Sequence, residues 1–454
     1  MTEKEILRKQ KKFFAAGQTR SVVFRRQALQ RLRMEMHKQE KELFAALKED
    51  LGKSQAEAYM TELGLVYDEI AYACRHLKQW SRRKRRQTAM QLLPGKCYEY
   101  REPYGSVLIL APWNYPLLLC LVPLIGALAA GNCAVVKPSE LAGATSAALE
   151  NLIRQCFPQE YVAVVQGDRE VSTRLLQEPF DFIFYTGGER VGKIVMEAAA
   201  RHLTPVCLEL GGKSPCIVDD TANIKLAARR IVYGKLVNAG QTCVAPDYLF
   251  VHARVKEQLI AYMIHDIRRF LGDQPLLSEK YPSIINAAHT RRLMGLLEGE
   301  KILYGGKQKG NRIEPTLVEP SALDTPIMQE EIFGPLLPVF TYEDLDEVLE
   351  FISERPKPLA LYFFSEDKQT QKRVLEEVSF GGGCINDTLL HVASHHLRFG
   401  GVGSSGMGSY HGKYSFDLFS HKKSILQQST CVDLPLRYHP CYGLALALLK
   451  RIMK

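Results

Sequence analysis

The sequence predicts an α/β protein built around a doubly wound, parallel sheet. From about residue 107 onward, short apolar runs of strand length recur, and segments of helical composition lie between them. Parallel strands buried on both faces read as continuous apolar runs, and strands alternating with helices indicate a doubly wound arrangement. Polar, glycine-containing stretches directly follow several of these runs. Such sheets bind ligands there, outside the carboxyl ends of their strands.

The first 80 residues read as helices. Ser54 and Glu57 fit a capping box, and Leu63, Tyr67, Ile70, Cys74 and Leu77 then share one helical face. Phe24, Leu32 and Met36 predict an earlier helix. Leu43, Phe44, Leu47 and Leu51 predict another, ending near Gly52. Residues 98–104 alternate like an exposed strand. Strands are then expected at 107–110, 134–136, 162–165, 182–185 and 206–210, with helices such as 116–130 and 189–200 between them. A second α/β block starts near Gly211, with strand candidates 215–218, 248–251, 359–364 and 384–386 and helices at 224–236 and 343–353. The last 40 residues return to a β-like segment and a short amphipathic tail.

At about 150 residues per domain, 454 residues suggest two to three domains. With 46% hydrophobic and 24% charged residues, the composition excludes disorder, collagen, coiled coil and a disulfide-stapled module. No run reaches the roughly 18–20 apolar residues of a membrane span. The net charge is +9, part of it in Arg82-Arg83-Lys84-Arg85-Arg86, which reads as a solvated connection after a helix. Neither interleaved aromatics nor zinc-finger spacing supports nucleic acid binding. Eleven cysteines without a CxxC pair and a polar N-terminus predict reduced thiols and a cytoplasmic location. Cys120, Cys133, Cys207 and Cys216 lie in apolar runs and are expected in the core. The histidines show no metal-ligand spacing, His395-His396 reads as a loop pair, and no metal is expected.

Five segments can carry chemistry. Asn114, in Ala111–Pro116 after a strand, can aim its amide at a fixed point as an oxyanion donor, or be a turn residue. Lys137 and Glu140, in Lys137-Pro138-Ser139-Glu140, can hold ribose hydroxyls, or the segment simply starts a helix. Thr186–Gly192 places glycines between strand and helix, as a pyrophosphate site requires. It is neither GxGxxG nor a Walker loop, since Ile194 follows Lys193 where Ser or Thr is needed. Glu209 sits in an apolar strand, where burial raises a carboxyl pKa and suits a general base; pairing with Lys213 is the alternative. Cys243, in Gly240-Gln241-Thr242-Cys243, is either an accessible nucleophile or an inert core thiol.

Together with Gln329–Pro335 and Gly401–Gly412, which continues to Phe419-Ser420-His421, these five segments in this order resemble the aldehyde dehydrogenase superfamily, on its class 3 (aromatic and fatty aldehyde) branch. Each motif is weak alone, but seven in order are specific, and the match spans roughly residues 5–440. The resemblance implies an aldehyde dehydrogenase-like fold. Its parts would be a cofactor domain over 1–210 with a β extension near 96–105, a catalytic domain over 211–395, and a segment 396–454 returning to the cofactor domain, the oligomerisation strand and the tail. It also implies that Cys243 attacks the aldehyde to give a thiohemiacetal. Asn114 and the Cys243 N–H hold the oxyanion, hydride passes to nicotinamide, and Glu209 activates the water that hydrolyses the thioester. Trp113, Lys137, Glu140, Thr186, Gly187, Gly192, Glu331 and Phe333 would bind the cofactor. Tyr115, Tyr233 and Phe399 would line an apolar tunnel suited to medium-chain aliphatic or aromatic aldehydes.

NAD is favoured over NADP, because Glu140 would repel a 2′-phosphate. Gly188 stands where the family carries Ser, a change expected to loosen the turn. The family commonly dimerises by strand addition at an exposed edge, so a homodimer is expected, with 98–104 paired to the segment after Lys413. Residues 442–454 read as a docked amphipathic helix, with peripheral membrane contact as the lesser alternative. Release of acyl-CoA, a reductive direction and a non-catalytic role are the competing functions.

Overall fold

A computed structural model describes residues 2–433 together with Tyr438, Leu446, Lys450 and Arg451. The expected tail helix at 442–454 therefore falls largely outside the described residues. Two parallel-rich sheets and one small antiparallel sheet organise the chain. The first large sheet has the spatial order Gly406–Met407, Val206–Glu209, Phe182–Thr186, Ser106–Leu110, Cys133–Lys137, Val162–Val164. Its strands are parallel except the two-residue 406–407 edge. From Ser106–Leu110 the chain winds outward one way through 133 and 162, then returns to 182 on the other side. That reversal creates a crevice at the carboxyl ends of the central strands.

The second sheet runs Lys301–Tyr304, Thr316–Glu319, Leu336–Tyr342, Tyr248–His252, Pro215–Val218, Ala360–Phe364, Gly382–Ile385. Its three strands at 301, 316 and 336 are absent from the sequence-based expectation. Pro338 inside Leu336–Tyr342 explains one of them, because a proline cannot donate to a ladder and argues against a central strand. Here it pairs opposite Val318 in a strand with neighbours on both sides. Lys301–Tyr304 and Thr316–Glu319 are four residues each, too short to announce a period.

Lys96–Pro103 pairs antiparallel with Ser420–Gln427 along its whole length, joining the two chain segments expected to meet. The basic run differs from expectation. Lys84–Arg86 is a third strand of this sheet, pairing with Cys97–Glu99, and Arg86 Nη2 donates to Glu99 at 2.8 Å. It is solvent-exposed throughout, but the opposite charge across the strand gives it a partner. Among the described residues, no helix is long and apolar enough to cross a membrane.

The N-terminal helices Val22–Lys38, Glu40–Leu51 and Gly64–Trp80 form where periodicity places them, with Gly52 closing the second in the left-handed region at φ 67°. The capping box forms only by half. Ser54 Oγ accepts from the Glu57 N–H at 3.2 Å, but the Glu57 carboxylate turns away to accept from the Asn238 N–H at 2.6 Å. A wide π-helical turn, Tyr59–Leu63, follows and aims Glu62 inward. There Glu62 meets Lys53 at 2.6 Å, both side chains wholly buried. Glu62 Oε2 also accepts from the N–H groups of Leu117 and Leu118 at 2.9 and 3.2 Å. These open the apolar Leu118–Ala130 helix, which has no cap of its own. Lys53→Met leaves this carboxylate buried without its cation and is expected to cost about 3–5 kcal/mol, read as a lower urea midpoint, with Lys53→Met/Glu62→Leu recovering part of the loss. An unchanged midpoint in the single variant would contradict the role of the pair.

Candidate active site

The two large sheets face the site with opposite ends. The first offers the carboxyl ends of its strands: the loop Ala111–Leu117 after Ser106–Leu110, the Thr186–Gly188 turn, and Glu209 as the last residue of its strand. The second offers segments that precede its strands: Gly211–Ser214, Gly240–Asp247 and Glu330–Pro335. This second contribution departs from the carboxyl-end expectation.

Asn114 is held from behind. Its carbonyl accepts from Lys53 Nζ at 3.1 Å and from Asn238 Nδ2 at 2.8 Å, while its own Nδ2 donates to the Gln241 carbonyl at 3.1 Å. The amide is thereby tied to the loop that carries Cys243, and its Oδ1 is buried without a partner. That loop is unusually constrained. Asn238, Ala239 and Gly240 all have positive φ (52°, 51° and 72°), and a side chain at 240 would strike the Gly334 carbonyl. Gln241 binds the carbonyls of Asn238 and Ser283 at 3.0 Å each, and Tyr115 Oη meets Thr242 Oγ1 at 2.5 Å. Tyr362 Oη donates to the Val244 carbonyl at 2.5 Å.

Cys243 is half-buried and opens on a cavity of about 360 Å³. Tyr115, Tyr233 and Phe399 all line it, with Leu119, Val122 and Tyr410. Burial, reinforced by the charges of Glu331 and Glu209, raises the Cys243 thiol well above its usual range, and the N–H groups of Cys243 and Val244 work against that shift. Glu209 is buried and its carboxyl is likewise raised, by desolvation above all. Its closest polar contact is Cys207 Sγ at 3.7 Å, and Oε2 has none. Lys213 does not neutralise it. That ammonium pairs with Asp247 and binds the carbonyls of Ile327 and Glu330 at 2.9 and 3.0 Å. Cys120, Cys133, Cys207 and Cys216 are all buried in the core.

A second set of residues is fit to hold a dinucleotide. Lys137 Nζ and Glu140 Oε2 are 2.8 Å apart, the lysine buried and the glutamate half exposed. Thr186 Oγ1 is buried with no partner, and the Glu189–Ala200 helix begins at Gly188 with no side-chain cap. Its free N–H groups suit a phosphate. Side chains at Gly187 and Gly192 would meet Tyr185 and Leu210, whereas Gly188 faces open space in ordinary extended backbone. The structure therefore asks for no glycine at 188, and a Ser would fit there. Lys193 pairs with Glu189 at the surface, and Ile194 is exposed, so no Walker-type geometry arises. Trp113 and Phe333 meet edge to face at 5.4 Å, with Phe333 in the left-handed region at φ 52°. Glu331 Oε1 is buried and unpartnered, its carboxyl pushed up to about 8 by burial and Asp247.

The aldehyde dehydrogenase family model matches residues 4–425. A 4,4'-diaponeurosporen-aldehyde dehydrogenase of Staphylococcus aureus is 49% identical, over 95% of each chain. A dimeric, NADP-preferring aldehyde dehydrogenase of Canis lupus familiaris is 42% identical over 96% of this chain and 97% of its own. The solved substrate-bound state of Staphylococcus aureus AldH superposes with a TM-score of 0.98 at 47% identity, covering 99% of each chain. The chain belongs to the aldehyde dehydrogenase family. It is an aldehyde-oxidising enzyme with the α/β fold that the motifs led one to expect.

Several residues that shape this dehydrogenase's site escape sequence reading. Lys53 and Glu62 lie outside every motif, and their partners at 114, 117 and 118 are more than fifty residues away. Asn238 and Asp247 act through the backbone: Asp247 Oδ1 accepts from the Ile332 N–H at 2.9 Å and so fixes the Glu331 turn. Gln241 lay inside a recognised motif, but its bonds to Ser283 and Ile285 had no local signal. His395 is neither simply solvated nor core, because both its ring nitrogens meet carboxylates. Since burial holds Cys243 protonated, its alkylation by iodoacetamide in the cofactor-free enzyme is expected to rise about tenfold per pH unit between pH 7 and 9, followed by peptide mapping. A rate that levels off near pH 7 would contradict this.

Proposed function

We propose that this enzyme oxidises apolar aldehydes, medium- to long-chain aliphatic or aromatic, to carboxylic acids by covalent catalysis at Cys243. The observation that carries the proposal is a half-buried thiol opening on an aromatic and aliphatic cavity, with a buried, cation-free carboxyl beside it. Such walls recognise hydrocarbon and exclude water. The sulfur of Cys243, its proton given up to solvent, adds as the thiolate to the aldehyde carbon, giving a thiohemiacetal. The Asn114 amide and the Cys243 N–H stabilise its oxyanion; the Lys53 and Asn238 contacts hold the Asn114 main chain, and the Gln241 carbonyl holds the amide. A nicotinamide held there would supply the hydride acceptor and, in its oxidised form, a positive charge favouring the thiolate. In its carboxylate form, Glu209 takes a proton from water as it attacks the resulting thioester. The carbon–sulfur bond breaks, the acid leaves and the thiol returns. A base in this position supports release of the free acid over transfer to CoA.

Lys137 and Glu140 would hold the adenine ribose. Thr186, Gly187 and Gly192 would line the phosphate path with the Glu189–Ala200 N-terminus, while Glu331 and Phe333 would place the nicotinamide end beside Trp113. Glu140 supports NAD, since it would face a 2′-phosphate, although Lys137 at 2.8 Å offsets part of its charge. NADP is the second cofactor in this reading. The described cysteines are all free, which supports a reducing, cytoplasmic setting. Ser420–Gln427 borders the small sheet and is exposed from His421 onward, which supports a homodimer built by strand addition.

Cys243→Ala is expected to abolish reduced-nicotinamide formation with every aldehyde from acetaldehyde to decanal and benzaldehyde. Glu209→Gln is expected to release about one equivalent of reduced nicotinamide per subunit and then stall. Normal turnover in Glu209→Gln would overturn the base assignment.

A further inference from the structure

The outer end of the aldehyde cavity is closed by a loop whose two ends are anchored to different helices. Asn386 and Leu389 begin it in the left-handed region, at φ 59° and 60°. Thr388 Oγ1 donates to the Arg230 carbonyl at 2.7 Å, and Arg230 in turn binds the Asn386 carbonyl, fixing this end to the Ile224–Leu236 helix. Leu390, Val392 and Ala393 then form cavity wall. At the far end, His395 Nε2 lies 2.8 Å from Asp68 Oδ2 and its Nδ1 2.8 Å from Glu69 Oε2, both on the Gly64–Trp80 helix. The imidazole also stacks on Tyr72, with centroids 4.5 Å apart and planes 8° from parallel.

Asp68 is largely exposed and Glu69 nearly wholly buried, so this clamp sits where the cavity meets solvent. Glu69 is shared: its Oε1 accepts from the Gly412 N–H at 3.0 Å, which places the backbone beside His411, another wall residue. We propose that the His395 clamp on Asp68 and Glu69 holds the outer wall of the cavity, making His395 a determinant of preference for long over short aldehydes. The inference rests on the apolar-aldehyde reading above. Acetaldehyde has no carbon chain to reach this wall, whereas decanal must pack along it.

The clamp needs a charged imidazole to satisfy two carboxylates. The groups facing it are Asp68, Glu69 and Tyr72 from the helix, His396 from its own loop, which meets the Tyr72 ring edge to face, and His411 from the returning segment. Glu69 and Asp68 raise the His395 pKa to about 8, while burial pushes His411 down to about 4, leaving His395 as the cation there at neutral pH. A group whose pKa is raised keeps its contribution at low pH and loses it as pH climbs through the folded value. The clamp is therefore closed below about pH 8 and weakened above it.

The test is the ratio of kcat/KM for decanal to that for acetaldehyde, taken from about pH 6.5 to 9.5; the ratio cancels titrations common to both substrates. In the unmodified enzyme it should fall about tenfold through a step centred near pH 8, carried by the KM for decanal. His395→Ala should give a low ratio without the step. Asp68→Asn, at an exposed position, should move the step to lower pH by removing one carboxylate. If His395→Ala keeps both ratio and step, the clamp is overturned while the apolar reading stands. If the unmodified enzyme shows no preference for decanal at low pH, the apolar reading fails and the clamp with it. Should His395→Ala not fold, an unmoved step in Asp68→Asn overturns the clamp by itself.

Discussion

The buried pair of Lys53 and Glu62 is the constraint on which the active site rests. Two charges removed from water must be fully satisfied by each other and by further polar groups, or the fold pays heavily. Here the remaining valences are spent on the site. Glu62 closes the start of the Leu118–Ala130 helix, and Lys53 grips the Asn114 carbonyl and lies 4.2 Å from the centre of the Tyr115 ring. One ion pair thus docks the N-terminal helices, caps a core helix and fixes the backbone that carries the proposed oxyanion donor Asn114 beside the cavity-wall Tyr115.

From this anchor the polar bonding continues without a break to the reactive loop. Asn238 touches Asn114 and Gln241, Gln241 reaches Ser283, and Tyr115 meets Thr242 next to Cys243. Three consecutive residues in the left-handed region are stable only when the surroundings over-determine them, and these bonds do so. The second sheet adds its own brace through Lys213, Asp247 and Ile332. The thiol and the Glu209 carboxyl are accordingly both desolvated, which raises the proton affinity of each.

Much of this was legible in the sequence. The strands at 107–110, 182–185 and 215–218 and the helix at 224–236 declared themselves through continuous apolar runs and periodicity, because burial on both faces leaves little freedom of composition. Asn114, Glu209 and Cys243 stood out as candidates because each interrupts such a pattern at a strand end or a tight turn, while the roles expected of them came from the family resemblance. What escaped was long-range or contrary to local rules. Pro338 disguised a central strand, Glu57 abandoned its helix cap for Asn238, and Lys53 follows a helix-ending glycine with no local pattern to mark it as buried. His395 read as a loop residue since its carboxylate partners lie more than 300 residues earlier. Pairings of that kind leave no spacing to read.

The central claim is that Cys243 carries the acyl group between oxidation and hydrolysis. Its most direct test is mass spectrometry of Glu209→Gln enzyme, acid-quenched after mixing with NAD and decanal and then digested. The account predicts that the peptide containing Cys243 gains the mass of decanal less two hydrogens, the increment of a thioester. Finding that increment on Cys207, Cys384 or any other residue, or finding no adduct while reduced nicotinamide has formed, would contradict it.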